Sequence, residues 1–457
     1  MTEEVSPTAG RQDSWSPLPS SEPEKINRFI VDGMKRYYLW EAAIDWSLYL
    51  GESAPALSYD HYRLLQSFIH KDDRWTMLTN NIDSLRNYAG GVSTTFGYSL
   101  KFLRNTFSGD DSVIAVVLYV TSNSPAEKAG LRRGDIITEV NGAKITNNNY
   151  LNMYNATSLT YRCGALDTEA NRIIPVGETK SLVAVNMYEN PVQKYMVIEK
   201  GAHKVGYLCY TSYQLDSEPE LIEIFSSFKS SGVTDIVLDL RYNSGGHSTT
   251  SRLISSILAP EAVVKSRGVY LEHYYNDFFL ADLERLGRGS REYFIDTLPV
   301  NMNLPDLYVL TSNSTASASE ATMVGLAPYL NLRHIGDTTS GKFCSGILLA
   351  PENLYIKDLA SYYSSFSNWG MYIMISRFFN ANGVESFFGR IAPDVYVRED
   401  YYSLKPFGDI NDPLLGRAIA EITGEAYTEQ RTSSSSLPVE TLPDIKRPLD
   451  GIMIAEP

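Results

Sequence analysis

The chain has 457 residues, and at roughly 150 residues per domain this length predicts two to four domains around at least one sizeable core. Its 40 Lys and Arg against 54 Asp and Glu give a net charge of −14, which argues against a nucleic-acid partner held by overall positive charge. The hydrophobic content of 43% and the charged content of 21% are ordinary for folded globular proteins. The longest strong apolar run, Val113–Val120, is far too short for a bilayer-spanning helix.

The cysteines and histidines give no sign of a metal site or a disulfide framework. Cys163, Cys209 and Cys344 are dispersed along the chain, and no C-x-x-C or H-E-x-x-H spacing occurs. We therefore expect no structural or catalytic metal and no cofactor.

The N-terminal part divides into a leader and a helical region. Residues 1–23 are rich in Ser, Pro, Thr and Glu without apolar periodicity, which predicts a flexible leader because such a segment buries too little surface to become ordered. Over residues 24–88, apolar residues recur at three- and four-residue spacing, as in Ile26, Phe29 and Ile30, and they predict a small helical region.

Residues 89–190 predict a β-rich domain. Short apolar runs here are separated by Gly and Asn, and the longest is Val113–Val120. Residues 124–142 read SPAEKAGLRRGDIITEVNG, which predicts a short helix, a Gly-stopped turn and two strands joined at Asn-Gly. This segment resembles the PDZ-domain signature S-P-A-x-x-A-G-L-x-x-G-D-x-I-x-x-x-N-G at every named position.

Residues 191–427 predict an α/β domain. Residues 235–240 and 307–310 are near-continuous apolar runs, as found in strands that are buried on both faces of a sheet. A helix is expected near residues 412–422. Residues 428–457, which include the serine run 433–436, predict a loosely ordered C-terminal tail.

A turn rich in small residues follows the second of these strands. Residues 311–320 lead from the strand into an apolar stretch that predicts a helix. Such a turn can expose a hydroxyl beside free backbone N–H groups, which suits an acyl-transfer nucleophile and its oxyanion site. Ser and Thr are also common helix N-caps, so this segment alone leaves a capping role and a catalytic role open.

Three motifs together resemble a known family. Residues 239–246 read DLRYNSGG, residues 315–320 read TASASE and residues 336–342 read GDTTSGK. They are similar to D-L-R-x-N-x-G-G, S-A-S-A-S-E and G-E-P-T-x-G-K of the C-terminal processing peptidases, also called tail-specific serine proteases. In that family the lysine follows the serine nucleophile by 25 positions, and here 342 − 317 = 25. Residues 389–394 resemble the family's G-x-I-x-P-D.

This resemblance implies a fold and a set of site residues. The expected fold is multidomain α+β, with an N-terminal helical region, a PDZ β-rich domain and an α/β protease core of the crotonase and ClpP type. Ser317 would be the nucleophile and Lys342 its general base. The oxyanion donors would be the backbone N–H groups of Ala318, Gly245 and Gly246.

Two departures from the family bear on a third catalytic group. Some members carry an acidic residue eleven positions after the nucleophile, where this chain has Pro328, and others carry a glutamine four positions after the lysine, where it has Gly346. We therefore predict a Ser–Lys dyad. Glu320, one helical turn after Ser317, would orient the site as an acidic residue does in some relatives, or would act as an ordinary first-turn carboxylate.

The chemistry of the pair gives separate support. A serine hydroxyl needs an adjacent base, and a lysine is a base only while neutral. Burial disfavours the charged ammonium and lowers the pKa of a lysine, so we expect Lys342 to have apolar neighbours such as Phe343. Cys344 has no histidine in its motif to make it a nucleophile, and His247 is expected to cap a helix or to lie on the surface.

The PDZ resemblance implies a site for substrate tails. In the family, this domain captures the C-terminal tail of a substrate as an added strand, and loop N–H groups bind the terminal carboxylate. Phe96, Gly97, Tyr98 and Ser99 match the position of that loop. Tyr98 stands where a small aliphatic residue is commoner, and a PDZ domain without peptide affinity is the alternative.

The expected activity is that of a serine endopeptidase acting on protein or peptide substrates with accessible C-termini. Two alternatives are a catalytically weak PDZ-based peptide-binding protein on the same scaffold and a crotonase-like acyl-CoA enzyme. The family usually works outside the cytoplasm, which implies the periplasm or cell envelope, a leader that has been removed and, through that leader, a membrane tether. The N-terminal helices could mediate homodimerisation or could simply pack against the core.

Overall fold

The computed structural model describes residues 19–49, 58–167, 169–170, 172–384, 390–427, 438–443, 451 and 453–455. Residues 1–18 of the predicted leader, the serine run 433–436 and Gly389 of the G-x-I-x-P-D motif lie outside the described residues. Within those ranges, no helix is both long enough and apolar enough to cross a membrane.

The N-terminal region is helical, and it packs into the large core of the protein. Its elements are α1 (Glu22–Tyr37), α2 (His61–Phe68), β1 (Met77–Thr79), α3 (Ile82–Ala89) and β2 (Val92–Thr95). The first helix has Pro23 in its first turn, where a missing N–H costs nothing. The apolar side chains of Phe29, Ile30 and Met34 are fully buried, in the same cluster as the strands of the C-terminal domain. This region therefore shares the core of the C-terminal domain.

The β-rich domain has an apolar core of its own. Its elements are β3 (Tyr98–Arg104), β4 (Val113–Val120), α4 (Pro125–Lys128), β5 (Ile136–Val140), β6 (Ala143–Lys144), α5 (Asn152–Asn155), β7 (Ser158–Asp167), β8 (Arg172–Val183) and β9 (Val185–Tyr188). An antiparallel sheet has the order β3-β4-β5-β7-β8, with β6 beside β5. The predicted strand Val113–Val120 and the predicted Asn-Gly turn are both present, with Asn141 at φ 52. The β2 and β9 strands pair across the two ends of the domain.

The C-terminal domain is built from two sheets and their helices. Its elements are β10 (Val192–Lys200), β11 (His203–Tyr210), α6 (Glu218–Ser230), β12 (Asp235–Asp239), β13 (Gly246–His247), α7 (Ser248–Leu258), α8 (Glu261–Lys265), β14 (Val269–Tyr275), α9 (Asp277–Arg285), β15 (Arg291–Tyr293), β16 (Asp306–Thr311), α10 (Ala318–Leu326), β17 (Asn331–Gly336), β18 (Cys344–Leu349), α11 (Pro351–Leu354), α12 (Ala360–Tyr363), β19 (Gly370–Phe379), β20 (Val395–Tyr396), α13 (Pro413–Thr423) and β21 (Met453–Ile454). One sheet has the order β10-β11-β12-β16-β17-β20 and is parallel from β11 onwards. The other has the order β13-β21-β18-β19-β14-β15, with β1 added at β19.

The parallel sheet is covered on both faces, as its apolar strands predict. In β12, Ile236 and Leu238 face the large core, whereas Val237 faces a second cluster under α13. The ends of β12 and β16 lie side by side, because Asp239 pairs with Leu310. The loops that follow these two strands therefore meet at one edge of the sheet, which is where α/β proteins place their sites.

The C-terminal tail contains ordered segments. Residues 438–443 lie beside β3, and β21 is buried in the sheet between β13 and β18. The expectation of a loosely ordered tail is wrong for Met453 and Ile454, because they bury apolar side chains and pair with neighbouring strands.

Candidate active site

Ser317 lies at the turn between β16 and α10, directly before the first helical residue. Its backbone has φ 63 and ψ −113, a conformation that a residue with a Cβ adopts only when its surroundings enforce it. The residue is 0% exposed, and its Oγ has no hydrogen-bond partner among the described residues. A strained strand-to-helix turn that presents an unpaired hydroxyl is typical of a catalytic serine.

Glu320 joins the backbones of the serine and lysine segments. Its Oε2 accepts the N–H of Ser317 at 2.7 Å and the N–H of Lys342 at 2.9 Å. Its Oε1 accepts the hydroxyl of Thr339 at 2.6 Å and the N–H of Gly341 at 2.8 Å. Burial raises the pKa of Glu320, and these four donors act in the opposite direction. Because only the ionised form can accept from all four donors, the buried carboxylate fixes the two segments relative to each other.

Lys342 lies between β17 and β18, and it is only 1% exposed. Its Nζ donates to Tyr372 Oη at 3.2 Å and lies 5.1 Å from the centre of the Trp75 ring. Phe343 is buried beside it and contacts the same Trp75 ring edge-on. The aromatic surroundings agree with the predicted apolar environment. Nζ is not hydrogen-bonded to Ser317 Oγ, since that oxygen has no partner within the described ranges.

The glycine turn after β12 has the conformation expected of an oxyanion loop, but one of its N–H groups is occupied. Gly245 and Gly246 have φ of 115 and 134, and a Cβ on Gly246 would lie 2.2 Å from the carbonyl oxygen of Tyr213. The N–H of Gly245 donates to Asn243 Oδ1 at 2.9 Å. Ala318 is the first residue of α10, so its N–H has no acceptor within the helix.

Cys344 does not have the properties of a catalytic nucleophile, and His247 lies at a helix N-terminus. Burial raises the pKa of the Cys344 thiol to about 12, and its Sγ contacts Met374 Sδ at 3.2 Å. A thiol of this kind is almost wholly protonated at neutral pH and is a poor nucleophile. Burial also lowers the pKa of His247, which stands at the N-cap of α7.

Comparison with known proteins identifies the family. Residues 204–397 match peptidase family S41, and residues 116–152 match the PDZ domain. Residues 204–397 form a peptidase S41 domain. The predicted family, the multidomain α+β fold and the PDZ domain are thus confirmed.

Curated relatives of this S41 chain include plastid and bacterial proteins. "C-terminal processing peptidase, chloroplastic" of Tetradesmus obliquus is 27% identical over 305 residues, which are 63% of this chain and 59% of that protein. "Probable CtpA-like serine protease" of Staphylococcus aureus is 28% identical over 222 residues, which are 48% of this chain and 40% of that protein. The chain thus spans about half the length of the curated relatives that it matches.

A solved structure shares the fold of this S41 chain. The crystal structure of an S41 protease candidate from Bacteroides fragilis superposes with a TM-score of 0.70 at 23% identity, covering 90% of this chain and 98% of that one. The similarity therefore extends over the N-terminal region and the PDZ domain as well as the protease core.

The PDZ loop that was predicted to bind a carboxylate precedes β3. Gly97 has φ 77, and a Cβ there would lie 2.1 Å from the Cβ of Ser124, so the loop requires glycine. The Phe96 and Tyr98 rings are buried in the PDZ core, with their centres 5.5 Å apart. Their side chains stabilise the loop from within the PDZ core. Ser99 lines the cavity described next.

A cavity of about 250 Å³ lies where the PDZ domain faces the S41 core. The PDZ domain contributes residues 99–101 and Tyr119 to its wall, and the core contributes residues 244–246 and Ala316. Ser99, the last residue of the predicted carboxylate loop, and the predicted oxyanion turn therefore line the same cavity, which Ala316 of the nucleophile turn also lines.

A buried charge network fixes the PDZ domain against this core. Arg133 of the PDZ signature donates to Glu399 Oε1 at 2.9 Å, and Arg241 of the DLR motif donates to the same oxygen at 3.0 Å and to Asp412 at 2.9 Å. Burial raises the pKa of Asp412, but the charge of Arg241 outweighs it and holds the pKa below its usual value. Because removing one partner would leave a buried charge unpaired, the network resists separation of the two domains.

Several residues of the site were not found from the sequence. Tyr372 and Trp75 contact Lys342 from β19 and from the segment before β1, and no local pattern marks either residue. Asn243 could have been found, because it is a fixed position of the D-L-R-x-N-x-G-G motif.

Proposed function

We propose that this S41-family protein is a serine endopeptidase that cleaves protein substrates through an acyl-enzyme on Ser317. One observation carries the proposal. The buried Glu320 carboxylate accepts the N–H groups of both Ser317 and Lys342 on one oxygen, so that a strained serine is held next to the lysine segment.

Lys342 would serve as the general base. As Ser317 Oγ attacks the carbonyl carbon of the scissile bond, Nζ would take the hydroxyl proton and then give it to the leaving amine. A water molecule, activated by the same amine, would release the acyl group and restore the serine. Nζ must first form a hydrogen bond with Ser317 Oγ, and catalytic hydrogen bonds often form only in the substrate complex. Burial of Lys342 favours the neutral amine that this step requires, whereas the Trp75 and Tyr372 rings beside Nζ favour the ammonium.

The oxyanion of the tetrahedral intermediate would be held by backbone N–H groups. Ala318 and Gly246 are the proposed donors, since Ala318 begins α10 directly after Ser317 and Gly246 lines the same cavity as Ala316. Gly245 would join them only after releasing Asn243 Oδ1.

The PDZ domain would recruit substrates by their C-terminal tails. Ser99 at the end of its carboxylate loop lines the same cavity as the oxyanion turn, which supports delivery of a captured tail to Ser317. The substrates would be proteins or peptides with accessible C-termini, and the setting would be extracytoplasmic, in the periplasm or cell envelope. A membrane tether and a homodimer stay predictions.

The first test is hydrolysis of casein by the parent chain and by Ser317→Ala and Lys342→Ala, each checked for folding. The matched controls are Lys265→Ala, at the exposed end of α8, and Ser266→Ala, directly after that helix. We expect the two site variants to lose at least about 1,000-fold in kcat/KM, and the controls to match the parent. The parent rate should rise from about pH 6 to about pH 10, as Lys342 loses its proton. Equal rates in all five proteins would refute the mechanism.

A catalytically weak peptide-binding protein is the second candidate. It is favoured by the hydrogen bond from Lys342 Nζ to Tyr372 rather than to the serine. Saturable binding of unfolded chains without any Ser317-dependent hydrolysis would select this second candidate.

A further inference from the structure

The first segment of the tail lies on the outer edge of the PDZ sheet. The β3 strand ends the order of that sheet, and residues 438–443 run antiparallel to it. The N–H of Arg104 donates to the carbonyl of Glu440 at 2.8 Å, and the N–H of Leu442 donates to the carbonyl of Phe102 at 3.0 Å. PDZ domains bind peptide ligands in this manner, by adding an antiparallel strand to an exposed edge.

Side chains of this segment are anchored on both faces of the PDZ sheet. Leu442 packs against the PDZ core, which includes Phe102 and Tyr150. Val439 packs against the cluster on the opposite face, which includes Leu103 and Tyr402. An extended segment with apolar side chains on both faces fits this edge.

The second segment lies within the sheet at the candidate active site. The β21 strand (Met453–Ile454) is parallel to both of its neighbours, with Met453 paired to Gly246 and Ile454 paired to Gly346. The N–H of Ala455 donates to the carbonyl of Gly346 at 2.8 Å. On one side β21 therefore borders the proposed oxyanion glycine, and on the other it borders the strand that begins two residues after Lys342.

This second segment also contacts the machinery of the dyad. Tyr372 Oη, which accepts from Lys342 Nζ, donates to the carbonyl of Met453 at 2.7 Å. A Cβ on Gly451 would lie 3.9 Å from the Cβ of Ala316, the residue before the nucleophile. The tail thus reaches the nucleophile turn, the oxyanion strand and the hydrogen-bond partner of the base.

We propose that residues 438–443 and 453–455 are an intramolecular peptide bound at two substrate positions, the edge of β3 and the slot between β13 and β18. Substrate must displace them before it can reach Ser317. The inference rests on the proposed function and adds its ligand class: extended peptides with apolar anchors, as Leu442, Met453 and Ile454 are here.

If the two tail segments were permanent structural elements, their removal would lower the activity, because the site would be damaged. The light attachment of the first segment favours its displacement, whereas the second segment is short but buries Met453 and Ile454 in the large core. The β21 strand is two residues long, residues 438, 440, 441 and 443 are exposed, and two backbone hydrogen bonds join the first segment to β3. Segments held by few buried contacts open at low free-energy cost.

The experiment removes residues 438–457 and compares hydrolysis of an unfolded protein with that of the parent. We expect kcat/KM to rise about ten-fold or more, because a tethered peptide competes at a high effective concentration. A synthetic peptide of residues 438–457, added to the truncated enzyme, should inhibit it competitively. Unchanged or lower activity in a folded truncated chain, while hydrolysis still depends on Ser317, would overturn the tail proposal and leave the proposed function standing.

Point variants decide the matter if the truncated chain fails to fold. Leu442→Pro removes the N–H that pairs with Phe102, whereas Thr441→Pro, the matched control, removes an N–H that the alternating ladder directs away from β3. Met453→Asp places a charge in the slot. We expect Leu442→Pro and Met453→Asp to raise kcat/KM and Thr441→Pro to match the parent. Equal rates in all three would overturn the tail proposal.

A binding measurement separates this proposal from the proposed function. If no hydrolysis depends on Ser317, the proposed function fails, and the tail proposal is judged by fluorescence anisotropy of the labelled 438–457 peptide. The probe is added to the chain that lacks residues 438–457 and carries Ser317→Ala. Saturable binding that casein displaces supports the tail proposal, and lack of binding overturns it.

Discussion

Glu320 offers a sharp test of how the site is held together, because two substitutions affect its four hydrogen bonds differently. In Glu320→Gln, the amide oxygen can keep the N–H groups of Ser317 and Lys342, and the amide nitrogen can face Thr339, whose hydroxyl can turn to accept. Among the three backbone donors, only the N–H of Gly341 then loses its acceptor. One buried unpaired donor costs about 1–3 kcal/mol.

Glu320→Ala should be far more damaging. It leaves the N–H groups of Ser317, Gly341 and Lys342 without their acceptor. At about 1–3 kcal/mol each this amounts to about 3–9 kcal/mol, against a total stability of about 5–15 kcal/mol for a typical protein. The alanine variant should therefore lose most of its stability, whereas the glutamine variant should fold and keep its two segments in place.

The assay is denaturant unfolding together with kcat/KM on casein. Glu223→Gln and Glu223→Ala, on the exposed face of α6, are the controls. We expect the midpoint to fall slightly in Glu320→Gln and steeply in Glu320→Ala at unchanged m, and kcat to fall less than about ten-fold in the glutamine variant. If both Glu320 variants unfold with the same midpoint as the controls, the carboxylate does not hold the site together.

Three further predictions concern the backbone and the buried histidine. Ser317→Gly should abolish hydrolysis yet raise the free energy of unfolding by about 1 kcal/mol relative to Ser317→Ala, because glycine accepts a φ of 63 without strain; equal stabilities would contradict this. Gly97→Ala should lower the melting temperature more than Gly109→Ala, since both have positive φ but only the Cβ at Gly97 would collide with Ser124. Burial lowers the pKa of His334, so the unfolded chain binds more protons than the folded chain below about pH 6.5. The free energy of unfolding should therefore decrease as the pH is lowered, by at most about 1.4 kcal/mol per pH unit. His334→Gln should make the free energy of unfolding less dependent on pH in this range, and an unchanged slope would show that His334 is not responsible for it.

Local patterns were enough to predict the elements that carry the site. The strands β12 and β16 could be predicted from their apolar sequences alone, because residues on both faces of each strand are buried. The PDZ signature predicted its helix, turn and strands because Gly130, Gly134 and Gly142 hold backbone conformations that other residues rarely adopt.

Side-chain contacts between distant segments could not be predicted in the same way. The partner of Lys342 is Tyr372, from a different strand, and the partners of Glu320 include backbone groups of residues 341 and 342. Spacing along the chain suggested that Ser317 and Lys342 form a catalytic pair, but it could not show that Lys342 Nζ donates a hydrogen bond to Tyr372 Oη. The position of a flexible side chain depends on every neighbour that the fold brings near it.

The sequence by itself determined the family, the order of domains and the identities of the candidate nucleophile and base, because these depend on residue types at fixed short spacings. The tertiary structure alone decided that the N-terminal helices share the large core, that Arg133 and Arg241 join the PDZ domain to the S41 core, and that β21 lies beside the dyad. Each of these results depends on contacts between segments far apart in the chain. Such contacts form when apolar surface is buried and charges are paired across the whole fold, and no short window of sequence contains them.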